Sequence, residues 1–130
     1  MIRTIFLTIF CVTTTFCFGQ TQTEMNQEAA ENCKKAEKEL NSVYKKILTE
    51  YKGDTAFIRN FRIAERKWID WRDAEMNAKY PPSGDYGSVL PMCWSMYLQG
   101  LIEERTHHLK IWLEGIEDGD VCSGSVKVKQ

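Results

Sequence analysis

The sequence has few of the residues, and none of the motifs, that build the common metal, redox and nucleotide sites. It contains two histidines in 130 residues and no Cys-x-x-Cys pair, so zinc-binding and thioredoxin-like sites receive no support. A glycine-rich phosphate loop and a Gly-x-Ser-x-Gly nucleophile motif are also absent, which argues against nucleotide binding and serine-hydrolase chemistry. We therefore predict a protein that is not an enzyme and that needs neither a metal nor another cofactor.

The sequence also lacks a clear excess of charge of either sign. Seventeen lysines and arginines stand against 18 aspartates and glutamates. If residues 1–19 are removed, Arg3 is the only charge lost, and 16 basic against 18 acidic residues give a net charge of −2. Nucleic-acid binding requires a basic face. The sequence pattern shows no such face, so we predict no nucleic acid as a partner.

The N-terminus has the pattern of a signal peptide. Arg3 precedes an apolar run at residues 5–12, and a small-x-small pattern follows at residues 17–19. The run is too short and too rich in threonine to cross the roughly 30 Å hydrocarbon core of a bilayer. We predict cleavage after Gly19 and export to the periplasm or the exterior, without an integral membrane anchor. A lipid anchor on Cys17 is the alternative.

Three segments have the periodicity of amphipathic helices. Apolar residues recur at steps of three and four through residues 21–51, 54–78 and 91–116, as one buried helix face requires. In the second segment this face is predicted to contain Phe57, Phe61, Ala64, Trp68, Trp71 and Ala78. We predict an all-α fold, an up-down-up antiparallel three-helix bundle at residues 20–117. A loose polar C-terminal tail is predicted at residues 118–130.

The predicted helix ends carry suitable capping residues. Thr21 and Glu24 have the spacing of a capping box, in which a hydroxyl and a carboxylate bond the free backbone N–H groups. Asp54 is a favourable N-cap for the second helix, and Pro91 suits the first turn of the third. These residues support the predicted starts of all three helices.

Three cysteines remain once Cys11 and Cys17 leave with the signal peptide. In an oxidising compartment an odd number indicates one disulfide and one free thiol, or an intermolecular bridge. In the predicted bundle Cys33 and Cys93 both lie near the end where the first helix begins, and Cys122 lies beyond the opposite end. We predict a Cys33–Cys93 disulfide, with Cys93–Cys122 as the alternative.

Three stretches of the sequence are similar to one known family. They are residues 36–44 (AEKELNSVY), 64–75 (AERKWIDWRDAE) and 86–92 (YGSVLPM), of which the second is the most specific. In these stretches the chain resembles the LprI-like lysozyme-inhibitor family, over about residues 24–113. The resemblance implies an exported or envelope-associated helical module. For the namesake of the family it implies inhibition of a host-type lysozyme.

The charged part of the second stretch is the first candidate for a partner-binding surface. Its residues are Trp71, Arg72, Asp73 and Glu75. Tryptophan and arginine are frequent at the hot spots of protein interfaces. The structural interpretation is that Trp68 and Trp71 belong to the core and that Arg72 bridges to Asn41 or Glu104 on a facing helix, which would fix the helix register.

An acidic run near the end of the chain is the second candidate. Its residues are Glu114, Glu117, Asp118 and Asp120. Host lysozymes are strongly basic, and an acidic patch steers association with such a partner. The same run is also compatible with a solvated C-terminal tail.

The two histidines, His107 and His108, each follow a glutamate by four residues, but a zinc site needs three or four converging ligands. A solvated helix face is therefore the preferred interpretation of this pair. The predicted function is that of an extracytoplasmic, non-enzymatic protein that binds a lysozyme-like cell-wall hydrolase through an acidic or aromatic surface. The alternative is an envelope module, structural or interacting with another protein.

Overall fold

A computed structural model describes residues 20–129, which form three long α-helices joined by short connections. The helices are α1 (Gln22–Glu50), α2 (Thr55–Lys79) and α3 (Leu90–Glu114), with a short 3-10 helix (Gly87–Val89) before α3. The prediction of an all-helical bundle is therefore confirmed for these residues. None of the three helices is both long enough and apolar enough to cross a bilayer. The predicted leader, including Cys17, lies outside the described residues.

The helix ends are formed by the predicted capping residues. The Thr21 hydroxyl accepts the Glu24 N–H at 3.2 Å, and the Glu24 carboxylate accepts the Thr21 N–H at 2.7 Å, which confirms the capping box. Asp54 accepts a backbone N–H of the first turn of α2 at 2.9 Å. Pro91 lies in the first turn of α3, and this helix ends at Gly115, whose φ of 77° favours glycine.

Helices α1 and α3 form the closest pair of the bundle. The face that α1 turns inward is built of small residues near its start, where Ala29, Cys33 and Ala36 are buried. The distance between packed helices depends on the side chains at their contact, and small ones let the two backbones approach. Ile47 of α1 and Ile102 of α3 are fully buried in the core.

Helix α2 is held against this pair by large aromatic side chains. Phe57 packs on Tyr51 with ring centroids 4.4 Å apart and on Trp112 at 4.8 Å. One turn further, Phe61 stacks on Tyr44 at 5.4 Å. The α1 and α2 backbones therefore stay further apart than those of α1 and α3, and shallow grooves remain beside α2.

The inward face of α2 departs from the predicted one. The two phenylalanines near its start are buried as predicted, but Ala64 and Ala78 are exposed and Trp71 is 50% exposed. Glu65 is buried in their place, with 8% exposure. The periodicity placed only apolar residues on the inward face of α2, and it failed here because Glu65 has a charged partner on α3.

Residues 116–129 fold back against the end of α1, and we call this segment the C-terminal hook. The Ile116 N–H donates to the Lys127 carbonyl at 2.9 Å, and the Lys129 N–H donates to the Ile116 carbonyl at 2.8 Å. The Tyr51 hydroxyl donates to a carbonyl in the last turn of α3 at 2.9 Å and accepts the Lys127 N–H at 3.1 Å. The prediction of a loose polar tail did not include these contacts, one of which is made with Tyr51, a residue far away in the sequence.

We expect Tyr51→Phe to lower the free energy of unfolding by about 1 kcal/mol, because the hydroxyl links α1 to both α3 and the hook. The amide of Lys127 should then exchange faster with solvent. Chemical denaturation and hydrogen exchange followed by NMR measure the two effects. Tyr86→Phe is the control, since the Tyr86 hydroxyl makes one exposed bond, to the Pro81 carbonyl at 3.3 Å. Equal effects of the two substitutions would contradict this role.

Candidate functional site

Helix α2 carries a carboxylate into the interior, and α3 supplies its partner. Glu65 Oε2 accepts hydrogen bonds from Arg105 Nη2 at 2.8 Å and Nε at 3.1 Å. The two side chains are only 10% and 19% exposed. Removing one partner of a buried ion pair leaves an uncompensated charge, which is strongly destabilising. The pair therefore fixes the position of α2 against α3.

Trp68 contacts the same ion pair and a second arginine. Its ring centroid lies 5.8 Å from the Arg105 guanidinium carbon and 5.5 Å from that of Arg72, distances that allow cation–π attraction. Arg72 also donates from Nε and Nη2 to its neighbour Asp73, at 2.8 and 2.7 Å. Its charged partner is thus on its own helix. Arg105, rather than Arg72, makes the interhelical bridge that the structural interpretation predicted.

Glu75 joins the second half of α2 to α3. Its carboxylate accepts the Tyr97 hydroxyl at 2.7 Å, and this hydrogen bond raises the pKa of Tyr97. The Lys79 ammonium lies 4.1 Å from the centre of the Tyr97 ring. Of the four candidate residues in this stretch, Arg72, Asp73 and Glu75 are therefore engaged in contacts within the protein.

Trp71 is the candidate residue that remains open to solvent. Half of its surface is exposed, and it borders a shallow groove of about 250 Å³ between α2 and α3, which we call the Trp71 groove. The groove is lined by Trp68, Trp71, Leu101, Glu104, Arg105 and His108. An exposed tryptophan ringed by charged side chains has the composition of an interface hot spot. Asp73 is also exposed, although it is bonded to Arg72.

The acidic run forms a separate surface. Its members Glu114, Glu117, Asp118 and Asp120 are all exposed. Glu117 pairs with Lys129 of the hook at 2.7 Å, and Asp120 accepts a backbone N–H two residues further on at 2.8 Å. Glu114 lies ten residues beyond Glu104 on α3, which is about 15 Å along the helix axis. The structure thus places the two candidate surfaces at different levels of the bundle.

The Glu117–Lys129 contact makes the attachment of the hook dependent on pH. The hydrogen bond between them lowers the pKa of Glu117. A carboxyl whose pKa is lowered by folding stabilises the fold above its ordinary pKa, and this contribution is lost as pH falls through the lowered value. We expect the protection of the Lys129 amide to fall as pH drops below the ordinary pKa of a glutamate and through the lowered pKa of Glu117. Hydrogen exchange measures this, and Glu117→Gln should remove the dependence; an unaltered profile would contradict it.

The described residues contain no group of three or more His, Cys, Asp or Glu side chains that could hold a metal ion. The rings of His107 and His108 lie 6.3 Å apart, and His108 borders the Trp71 groove. Both histidines therefore lie on the exposed surface of α3.

The three cysteines of the described residues are free thiols in this structure. Cys33 is buried, Cys93 is partly buried and Cys122 is exposed, and burial raises the pKa of Cys33. One hydrogen bond joins Asn26 of α1 to Ser88, just before α3 and 62 residues later in the sequence. A second joins Tyr51, at the end of α1, to Trp112 of α3, 61 residues later. Cys33 and Cys93 are 60 positions apart, so they lie at nearly the same level of the α1–α3 pair. The two thiols are not bonded to each other in this structure, so the pairing stays a prediction.

Residues 18–109 match the family model described as Lysozyme inhibitor LprI, which covers more than two thirds of the chain. The protein belongs to the LprI lysozyme-inhibitor family. The matched range contains α1, α2 and most of α3. No curated protein and no solved structure matches the chain. The family is one of inhibitors, so membership is consistent with a protein that does not catalyse a reaction.

The LprI match includes one of the two candidate surfaces and excludes the other. It contains the Trp71 groove and the Glu65–Arg105 pair, and it ends before Glu114 and the acidic run. The most specific stretch, residues 64–75, supplies Glu65, Trp68, Arg72 and Glu75, which all make contacts within the bundle. These four residues therefore have a structural role in this chain, and Trp71 is the most exposed aromatic residue of the stretch.

Proposed function

We propose that this LprI-family protein is exported and binds a lysozyme-like cell-wall hydrolase, without catalysing a reaction of its own. The family match supports the inhibitor class. The observation that carries the choice of surface is Trp71, which is half exposed within the matched range. A large aromatic side chain left in water is an available anchor for a partner.

In the proposed complex the Trp71 groove lies at the centre of the interface. Burial of the exposed half of Trp71 supplies the apolar contact, and Glu104 at the edge of the groove faces the basic surface of the hydrolase. The acidic run lies about 15 Å further along α3. A standard interface of roughly 800 Å² per partner is wide enough to include both, and there Glu114, Asp118 and Asp120 would steer the approach.

The scaffold that we propose is an up-down-up antiparallel bundle, left after removal of residues 1–19. The Asn26 side chain donates to the Ser88 carbonyl at 3.1 Å, so the start of α1 lies beside the start of α3. In an oxidising compartment we expect Cys33 and Cys93 to form the disulfide. Peptide mapping by mass spectrometry without reduction tests this, and a linkage through Cys122 would contradict it.

The direct test is a lysis assay with a cell-wall suspension and a c-type lysozyme. We expect the exported form of the protein to slow lysis in a concentration-dependent manner and to bind the enzyme in calorimetry. Undiminished lysis at a large molar excess, together with no binding heat, would overturn the proposal.

A second candidate function is an envelope module that binds another protein. It is favoured by a shallow groove of about 250 Å³ between the first halves of α1 and α3, where Met25, Met92 and Met96 come together. Met96 is 59% exposed, and flexible methionines suit adaptable binding surfaces. Met96→Glu separates the two functions, because it should leave lysozyme binding unchanged and remove binding to such a partner.

A further inference from the structure

A group of basic side chains lies on the first half of α2. Arg59, Arg62 and Arg66 are spaced at three and four residues, which places them along one side of the helix. Lys52, in the turn before α2, borders the same shallow groove of about 390 Å³. All four side chains are exposed. The balanced composition had predicted no basic face, and the structure corrects that prediction because the cations are concentrated here.

These cations are not neutralised by acids of the bundle. Within the described residues, none of Lys52, Arg59, Arg62 and Arg66 makes an ion pair within 4 Å. The groove that they border contains no carboxylate, and its other lining residues are Thr55, Ile58 and Ile63. Arg62 and Arg66 also border a neighbouring groove that contains Glu37 and Glu65, but Glu65 is already paired with Arg105, so the cations of this face are available to an external anion.

The same face has an apolar centre. Ile63 is 45% exposed and lies among the arginines, and Ile58 is half-buried beside it. A helix that lies on a membrane has this composition, since aliphatic side chains enter the boundary of the acyl chains while basic groups bind the lipid phosphates. A site for a free anion alone would gain nothing from an exposed isoleucine.

We propose that this face, consisting of Lys52, Arg59, Ile63, Arg62 and Arg66, binds the surface of a membrane that contains anionic phospholipids. The arginines from residue 59 to residue 66 extend over about 10 Å of helix, enough for more than one lipid head group. Each basic side chain near an anionic surface adds about a fivefold gain in binding. The shared chemistry is phosphate recognition, and the lipid bilayer is the source that the exposed isoleucine favours.

Membrane binding in this orientation leaves the proposed hydrolase surface free. At 100° per residue, Trp71 is about 120°, 180° and 140° around α2 from Arg59, Arg62 and Arg66. The Trp71 groove therefore lies on a different side of α2 from the arginines, with Ile63, about 80° from Trp71, between them. This inference does not depend on the proposed function, because it uses different residues and a different partner.

Flotation of the exported form of the protein with lipid vesicles tests the proposal. We expect binding to vesicles of phosphatidylglycerol and phosphatidylcholine, and none to phosphatidylcholine alone. The triple substitution Arg59→Glu, Arg62→Glu and Arg66→Glu should weaken binding by at least about 100-fold. Binding should also fall steeply as salt is added.

The matched control is Lys34→Glu, Lys35→Glu and Lys38→Glu, which makes the same change of charge at exposed positions of α1. It should retain binding within about threefold, because none of these lysines borders the groove of Lys52, Arg59, Arg62 and Arg66. Circular dichroism verifies the fold of both variants, and Arg62→Gln with Arg66→Gln replaces the triple variant if that one does not fold. Equal loss in both variants, or equal binding to neutral vesicles, would overturn the proposal. So would displacement by inorganic phosphate at constant ionic strength, or preferential binding of a single-stranded oligonucleotide.

Discussion

Glu65→Ala is expected to lower the free energy of unfolding by about 3–5 kcal/mol, because it leaves the Arg105 guanidinium without a partner in a nearly buried position. Trp68 should not replace the carboxylate, since its contact with Arg105 is a cation–π contact at 5.8 Å and supplies no hydrogen-bond acceptor. Chemical denaturation gives the free energy directly. Thermal unfolding should show a decrease of more than about 10 °C in Tm.

The same protein contains a matched control for this experiment. Glu39 and Lys110 also join two helices at 2.8 Å, but their side chains are 56% and 41% exposed. Glu39→Ala should therefore cost less than about 1 kcal/mol. Replacing Glu65 and Arg105 together by leucine and methionine should restore much of the stability lost in Glu65→Ala. A small effect of Glu65→Ala, equal to that of Glu39→Ala, would contradict the structural role.

Trp71→Ala is expected to weaken binding of the proposed hydrolase by about 30-fold or more, which corresponds to at least about 2 kcal/mol. The large effect follows from the position of Trp71, which is the main exposed aromatic side chain beside the groove. Stability should change little, because half of this side chain is already in water in the free protein. Isothermal titration calorimetry with a c-type lysozyme measures the affinity, and the lysis assay measures the inhibition.

Two variants separate this anchor from general surface effects. Ile111→Ala removes another exposed apolar side chain of α3, which is 44% exposed and does not line the Trp71 groove, so it should leave the affinity within about twofold. Neutralisation of Glu114, Asp118 and Asp120 should mainly lower the association rate and its dependence on salt. If Trp71→Ala binds as well as Ile111→Ala, the Trp71 groove is not the interface.

The helices could be predicted from the sequence because the apolar periodicity and the capping residues indicated the same positions. The periodicity, the capping box at Thr21 and the N-cap at Asp54 all indicated the same starts, and the structure has them there. The inward face of α2 could not be predicted in the same way. A periodicity argument places charged side chains on the solvent-facing side of a helix. Glu65 is buried instead, because Arg105, 40 residues later in the sequence, neutralises its charge.

The sequence indicated which residues belong to the candidate surfaces, but not how those residues are arranged in space. The stretch at residues 64–75 indicated Trp71 and Arg72 together. On the helix, however, Trp71 faces solvent while Arg72 lies over the ring of Trp68. The basic face was missed because a near-zero net charge hides a local concentration. Arginines at three- and four-residue spacing from Arg59 to Arg66 were the signal that could have revealed it.

The closest helix pair of the bundle is formed by its first and last helices, and this order has a consequence for biogenesis. Contacts between α1 and α3 join residues about 60 positions apart, so the narrow seam beside Ala29 and Ala36 cannot close until nearly the whole chain has been synthesised. Until then α1 has only α2 beside it, held through aromatic rings. This delay suits the export that we propose, because a chain that is threaded through a translocation channel must stay unfolded.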